Sequence, residues 1–204
     1  GAGALGAEIS DFNGDNFDHS NLNFLHGAGI RFTQTGARPI ATNPVPKGTP
    51  SWGKDFKQQS LKYANSKLTL ACQGASLPWQ HHYLDLDPTY KDAYGTPLLR
   101  ITFDWEDQDR ELNKYLAERA GEIMKEMNPT KMEVSKEMKS YNITPYQSTH
   151  NTGGVIMGAD PSTSAVNSYL QMWDAENVFV VGASAFAHNG GYNPTATVGA
   201  LSYR

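Results

Sequence analysis

Polar and apolar positions alternate in three stretches between Lys67 and Trp105, and a period of two predicts strands. "KLTLACQG" sets Leu68, Leu70 and Cys72 on one side, "HHYLDLDP" repeats the alternation, and "PLLRITFDW" lines up Leu99, Ile101, Phe103 and Trp105. Three such strands predict a sheet with one wet face. From Asp104 to about Met127 the period becomes 3.6. Leu112, Leu116, Ala120, Ile123, Met124 and Met127 form a stripe among charged neighbours, which predicts an amphipathic helix ended by Asn128-Pro129. Upstream, Trp52, Phe56 and Tyr63 stand near helical spacing behind Ser51, a residue suited to capping, so a short helix is expected there. The continuous apolar run "NVFVVGASAF" at 177–186 reads as a buried strand entering a glycine turn. Residues 1 to about 50 read as loop, punctuated by "TNPVPKGTP", with short strands around Ile30 and Phe32. The chain has no internal repeat and no low-complexity tract.

Composition narrows the function classes. A length of 204 residues with 39% hydrophobic content can bury a core as one large domain or two small ones. Seventeen Lys and Arg against 21 Asp and Glu give a net charge of −4, so no basic field exists to hold a phosphate backbone, which argues against nucleic acid as a partner. Nothing approaches the roughly 18 consecutive apolar residues of a membrane span, and the start lacks the basic-then-apolar order of a signal peptide. One cysteine, Cys72, excludes an intrachain disulfide and a cysteine-based zinc cluster.

Several motifs imitate sites. "GAGALG" at Gly1 matches the glycine fingerprint of dinucleotide-binding folds, but no strand precedes it and the Asx-rich stretch after it disfavours a helix, so glycine-rich coil is expected. "DFNGDNFDHSNL" places Asp11, Asn13 and Asp15 as in a calcium loop, yet Asn16 stands where glycine is required and Leu22 where a bidentate Glu is required. Adjacent His81 and His82 on a strand would point to opposite faces and could not grip one metal, leaving a structural role or the lining of a cleft. Asp85 and Asp87 share a strand face without an aligned third ligand, and are expected to be solvated or bonded to turns. Ser184 in "GASAF" lacks the second glycine of a nucleophile elbow. Asn193-Pro194 reads as a helix start, with Asn as cap and Pro at the first helical position, where free N–H groups favour anions.

The last quarter carries a resemblance. "STHNTGGVIMGADP", "VNSYLQMWDAENVFVVGASAF" and "NPTATVGAL" resemble the C-terminal signature of the glucose–methanol–choline (GMC) family of FAD-dependent oxidoreductases, and the whole chain, "GAGALGA" and "FNGDNFDHS" included, is most similar to its gluconate-dehydrogenase branch. The resemblance implies an α+β fold. Residues 1–147 would form an antiparallel-sheet substrate-binding cap with flanking helices, and 148–204 the C-terminal return to an FAD-binding domain. It also implies that the Rossmann half lies upstream of Gly1, that the chain is a fragment cut at both ends, and that "GAGALG" is a chance imitation within the cap.

By the same resemblance His150 and Asn193 face flavin N5. His150 would act as base toward the substrate hydroxyl, and the Asn193 amide would hold the substrate oxygen as charge develops. Gly182 and Ala183 match the place where the backbone nears the FAD pyrophosphate, and the helix start at Asn193, Pro194 and Thr195 faces the flavin. The implied reaction is hydride transfer from a CH–OH group of a sugar acid, sugar or polyol to FAD, with onward transfer to a partner such as cytochrome c at the periplasmic face of the inner membrane. No metal is implied. The isolated 204 residues are expected to be inactive and to self-associate through a former interface. The rival reading is a stand-alone carbohydrate-binding or interaction module without flavin, whose 10 Tyr and 4 Trp could stack on sugars.

Overall fold

The computed structural model describes residues 6–14, 16–34, 45–64, 66–144 and 150–204. Its architecture is α+β, with two antiparallel sheets and three α-helices among those residues. β1 (Glu8–Ile9), β2 (Ala28–Gln34) and β3 (Leu68–Gly74) form one sheet in the order β1-β2-β3. Ile30 faces Cys72 and Phe32 faces Leu70 across the β2–β3 pair. Gly6, the last glycine of "GAGALG", holds φ +128°, and a Cβ there would overlap the Phe32 carbonyl oxygen. That glycine serves a close approach to the sheet; residues 1–5 of the motif lie outside the described residues.

The long period-3.6 segment folds as predicted, from Asp107 to Glu126. Call it α2; it packs on β3 and β2. Its N-cap is Glu106, and a capping box ties Glu106 to Asp109 in both directions, satisfying N–H groups that the first turn would leave open. Leu112, Leu116, Phe24 and Ala28 form the main core, bordered by Phe12, Phe17, Leu22, Cys72 and Tyr115. Burial pushes the Cys72 thiol pKa up, so the group behaves there as a small hydrophobe. Beyond Met127, Asn128 takes φ +50° before Pro129, as a helix stop requires.

Three expectations need correction. First, the alternating strands do not share one sheet. β3 pairs back with β2, while β4 (Tyr83–Lys91) and β5 (Pro97–Thr102) form a separate hairpin. Alternation fixes which side chains share a face and says nothing about which strand is the neighbour. Leu84 faces Ile101 and Leu86 faces Leu99, and all four are over half exposed, so the predicted apolar face exists without cover among the described residues.

Second, 177–186 is no buried strand. It forms one isolated bridge, Gln171–Phe179, and no strand among the described residues, and Phe179 and Val181 are exposed. An all-apolar strand is stable when neighbours cover both faces, and here Val180, Ala185 and Phe186 find cover while Val178, Phe179 and Val181 stay exposed. Third, the short helix, α1 (Gly53–Tyr63), begins after Trp52, so Ser51 is not its cap, and it buries no residue. α3 (Thr195–Ser202) closes the chain.

Candidate functional site

His150 is held by two segments far from it in sequence. Residues 153–157 run beside 183–185, through Gly153 N–H to Ala183 O at 3.2 Å, Val155 N–H to Ser184 O at 3.1 Å and Met157 N–H to Ala185 O at 2.8 Å. Beyond that turn the chain reaches the end of β3, where Ser76 and Asn189 exchange backbone hydrogen bonds at 3.1 and 2.9 Å. The Asn189 amide donates to the His150 carbonyl at 3.0 Å, and its oxygen accepts from Gly191 N–H at 3.1 Å. Gln73, on β3, brings its amide to 2.8 Å from His150 Nδ1. Gly191 takes φ +75°, and a Cβ there would lie 2.8 Å from the Gln73 carbonyl oxygen, so this close approach requires glycine.

Gln73 can serve either tautomer of the imidazole. As placed, its Nε2 donates to Nδ1, which leaves the ring proton on His150 Nε2. Turning the amide by 180° exchanges its N and O positions and presents Oε1 to Nδ1–H, which corresponds to the tautomer with its lone pair on Nε2. A basic nitrogen with a reversible partner on its other side suits proton transfer.

Asn193 lies two residues beyond Gly191 and is exposed, so both candidate residues hang from the anchor at the end of β3. The expected cap is displaced by one residue. Pro194 occupies the N-cap in helical conformation, α3 begins at Thr195, and no side chain caps it. Asn193 is therefore not the cap, and no capping bond competes for its amide. Gly182 holds φ +128° at the entry to a 3₁₀ turn over Ala183–Ala185, and a Cβ there would meet nothing within 4 Å. The positive φ favours glycine, and the open space beside Gly182 and small Ala183 leaves backbone accessible to a bulky ligand.

The expectation for His81 and His82 is overturned. Both precede β4 and lie in a turn, where side chains need not alternate. Their Nε2 atoms converge on Glu106 Oε1, at 2.6 and 3.0 Å. Asp87 is bonded to a turn as expected, accepting from Thr89 and Tyr90 N–H, both at 2.8 Å, whereas Asp85 is instead ion-paired across the hairpin with Arg100, whose hydrogen bond holds its carboxyl below the usual range. In the calcium-like stretch, Asn13 and Asn16 close turns through Ser10 O, and Asp15 lies outside the described residues. Ser184 spends its carbonyl on Val155.

Sequence reasoning missed Gln73, Asn189 and the stacked pair His26–His188, whose ring centres are 4.4 Å apart. No local pattern marks them, since each gains its place through partners 39 to 162 positions away.

The described residues thus form an α+β unit that holds His150 against the end of β3. A family model described as GMC oxidoreductase matches residues 80–202, and the chain belongs to that family. It is 46% identical, over 100% of its own length and 33% of the relative's, to the gluconate 2-dehydrogenase flavoprotein of Pantoea cypripedii. It is 28% identical to the 2-methyl-1,2-propanediol dehydrogenase of Mycolicibacterium austroafricanum, covering 99% of this chain and 36% of that one. To the fructose dehydrogenase large subunit of Gluconobacter japonicus it is 35% identical, covering 74% and 27%. The chain thus spans about a third of the length of the curated relatives it matches.

Proposed function

We propose that these residues form the substrate side of an FAD-dependent dehydrogenase that oxidises a CH–OH group of a sugar acid, sugar or polyol, gluconate-like before the others. The observation that carries the reading is the gathering of His150, Gln73 and Asn189 from three separate segments into one bonded cluster. A module that merely binds sugar needs aromatic platforms and has no use for a buttressed imidazole.

The residues present fit the flavin nucleotide. Gly182 and Ala183 offer an accessible backbone for the pyrophosphate, and Asn193, Pro194 and Thr195 offer an uncapped helix start toward the ring system. Bound FAD supplies the two-electron acceptor for the alcohol carbon. His150 takes the hydroxyl proton at Nε2, Gln73 holds Nδ1, and the Asn193 amide holds the substrate oxygen as negative charge grows on it. Adenine and ribose are held by residues outside the 204, and electrons pass onward to an acceptor such as a partner cytochrome c at the periplasmic face. None of the helices among the described residues is long and apolar enough to cross a membrane.

The test is dye reduction by the full-length, FAD-loaded protein with gluconate, fructose and a polyol. Reduction by gluconate supports the reading; no reduction by any of the three overturns it. Two further outcomes are expected. The isolated 204-residue chain, incubated with FAD and freed of excess ligand, retains no visible flavin band, and a retained band would show that these residues suffice for binding. Gln73→Leu in the full-length protein lowers kcat roughly two- to tenfold, the worth of one hydrogen bond, and displaces the acid limb of the pH–rate profile. An unchanged profile would make Gln73 a packing residue only.

A further inference from the structure

A second cluster lies at the N-terminus of α2 and takes no part in the site around His150. His81, His82 and Glu106 each offer one ligand atom, an imidazole nitrogen or a carboxylate oxygen, and the three lie within 4.8 Å of one another. Both imidazoles reach the same oxygen, Oε1, at 2.6 and 3.0 Å. Three ligand atoms converge from two segments 24 or more positions apart, the turn before β4 and the cap of α2.

We propose that His81, His82 and Glu106 bind a first-row divalent cation of the zinc class. The donor set is two imidazole nitrogens and one carboxylate oxygen, which suits zinc and its neighbours and does not suit magnesium or calcium. With metal–ligand bonds of about 2.0–2.1 Å, tetrahedral ligand atoms stand about 3.3 Å apart, so separations of 2.6 to 4.8 Å require adjustments of up to about 1.5 Å. The exposed His81 can move to make them. Its side chain is 62% exposed, against 14% for His82 and 31% for Glu106, and this asymmetry leaves the fourth position facing solvent and open to water.

The surroundings fix the two inner ligands. Glu106 accepts the Asp109 backbone N–H in the capping box, which orients its carboxylate. The His82 ring packs on Phe103 with centroids 4.8 Å apart, and His81 lies edge-on to His82 at 4.6 Å. Binding exchanges two N–H···O hydrogen bonds for two N–metal bonds. The imidazole protons move to Nδ1, or leave to solvent if the rings are protonated, so affinity falls as pH falls. The cation would clamp the start of the β4–β5 hairpin to the cap of α2, independently of any flavin chemistry.

The experiment is titration of Zn2+ into the protein after chelator treatment, followed by calorimetry and, with Co2+ as substitute, by visible d–d absorption. One equivalent is expected to bind, with a rise in Tm. His81→Ala alters the most exposed ligand and is the variant least able to disturb folding. Glu106→Gln keeps an acceptor for the capping box while removing the charge. Each is expected to weaken binding at least tenfold and to abolish the Tm rise. His188→Ala, outside the cluster, keeps both. Equal affinity in wild type and His81→Ala, or the lack of a one-equivalent event in wild type, overturns the site and leaves the cluster as a hydrogen-bonded cap of α2.

Discussion

His150→Ala in the full-length flavoprotein is expected to lower kcat for gluconate-like alcohols roughly a hundred- to ten-thousandfold, the contribution of a positioned acid–base group. The expectation rests on the bonded cluster: Gln73 sets the Nδ1 side at 2.8 Å, and Asn189 fixes the backbone through the His150 carbonyl at 3.0 Å. Alanine keeps the carbonyl, so the Asn189 bond and the loop survive while the imidazole is lost. The flavin spectrum should therefore be unchanged while turnover falls, and the acid limb of the pH–rate profile should flatten. Added imidazole should restore part of the rate, because the defect is a missing proton acceptor. A variant that loses FAD along with activity would indicate a structural residue, and one that keeps full activity would end the proposal.

Asn193 should behave differently. It supplies hydrogen bonding without proton transfer, so its loss should lower the rate at all pH values without reshaping the profile. Its exposure and the uncapped start of α3 leave the amide available for that role.

What the sequence disclosed follows from how locally each feature is encoded. α2 was legible because its stripe, its acidic first turn and its Asn128-Pro129 stop all lie within one contiguous segment. β3, β4 and β5 were legible as strands because alternation is local. Their division into two sheets was not, because β3 chooses β2 across a long intervening stretch. The run at 177–186 misled because apolar composition reports a need for cover, and the described residues supply it to Val180, Ala185 and Phe186 but not to Val178, Phe179 and Val181. His150 was singled out by the resemblance of its surrounding motif, whereas Gln73 and Asn189, which hold it, carry no local mark. His81 and His82 failed for the opposite reason. Extending the strand pattern two residues too far assigned them opposite faces, when a turn brings both to Glu106.

The same α2–β3 contact that forms the core also supports the site, and this gives the largest expected effect on stability. Leu112→Ala should destabilise the fold by about 2–5 kcal/mol, the range for removing a buried leucine side chain that the surroundings cannot fully replace. Leu112 is 2% exposed and sits with Leu116, Phe24 and Ala28. Urea denaturation should show a lower midpoint with an unchanged slope, since the surface exposed on unfolding hardly changes. Below the transition, turnover of the full-length protein should be little affected, because Leu112 touches none of the proposed catalytic groups. Its neighbour provides a sharper test. A Cβ on Gly74 would lie 3.0 Å from Leu112 Cδ2, and Gly74 follows Gln73, the partner of His150. Gly74→Ala alone should therefore strain the α2–β3 contact and disturb Gln73. In the Leu112→Ala background the vacated volume should accept the added methyl, so the double variant should be more stable than the sum of the two single effects allows. Strict additivity would show that β3 and α2 are not in the close contact described, and would remove the support on which the placement of Gln73 against His150 depends.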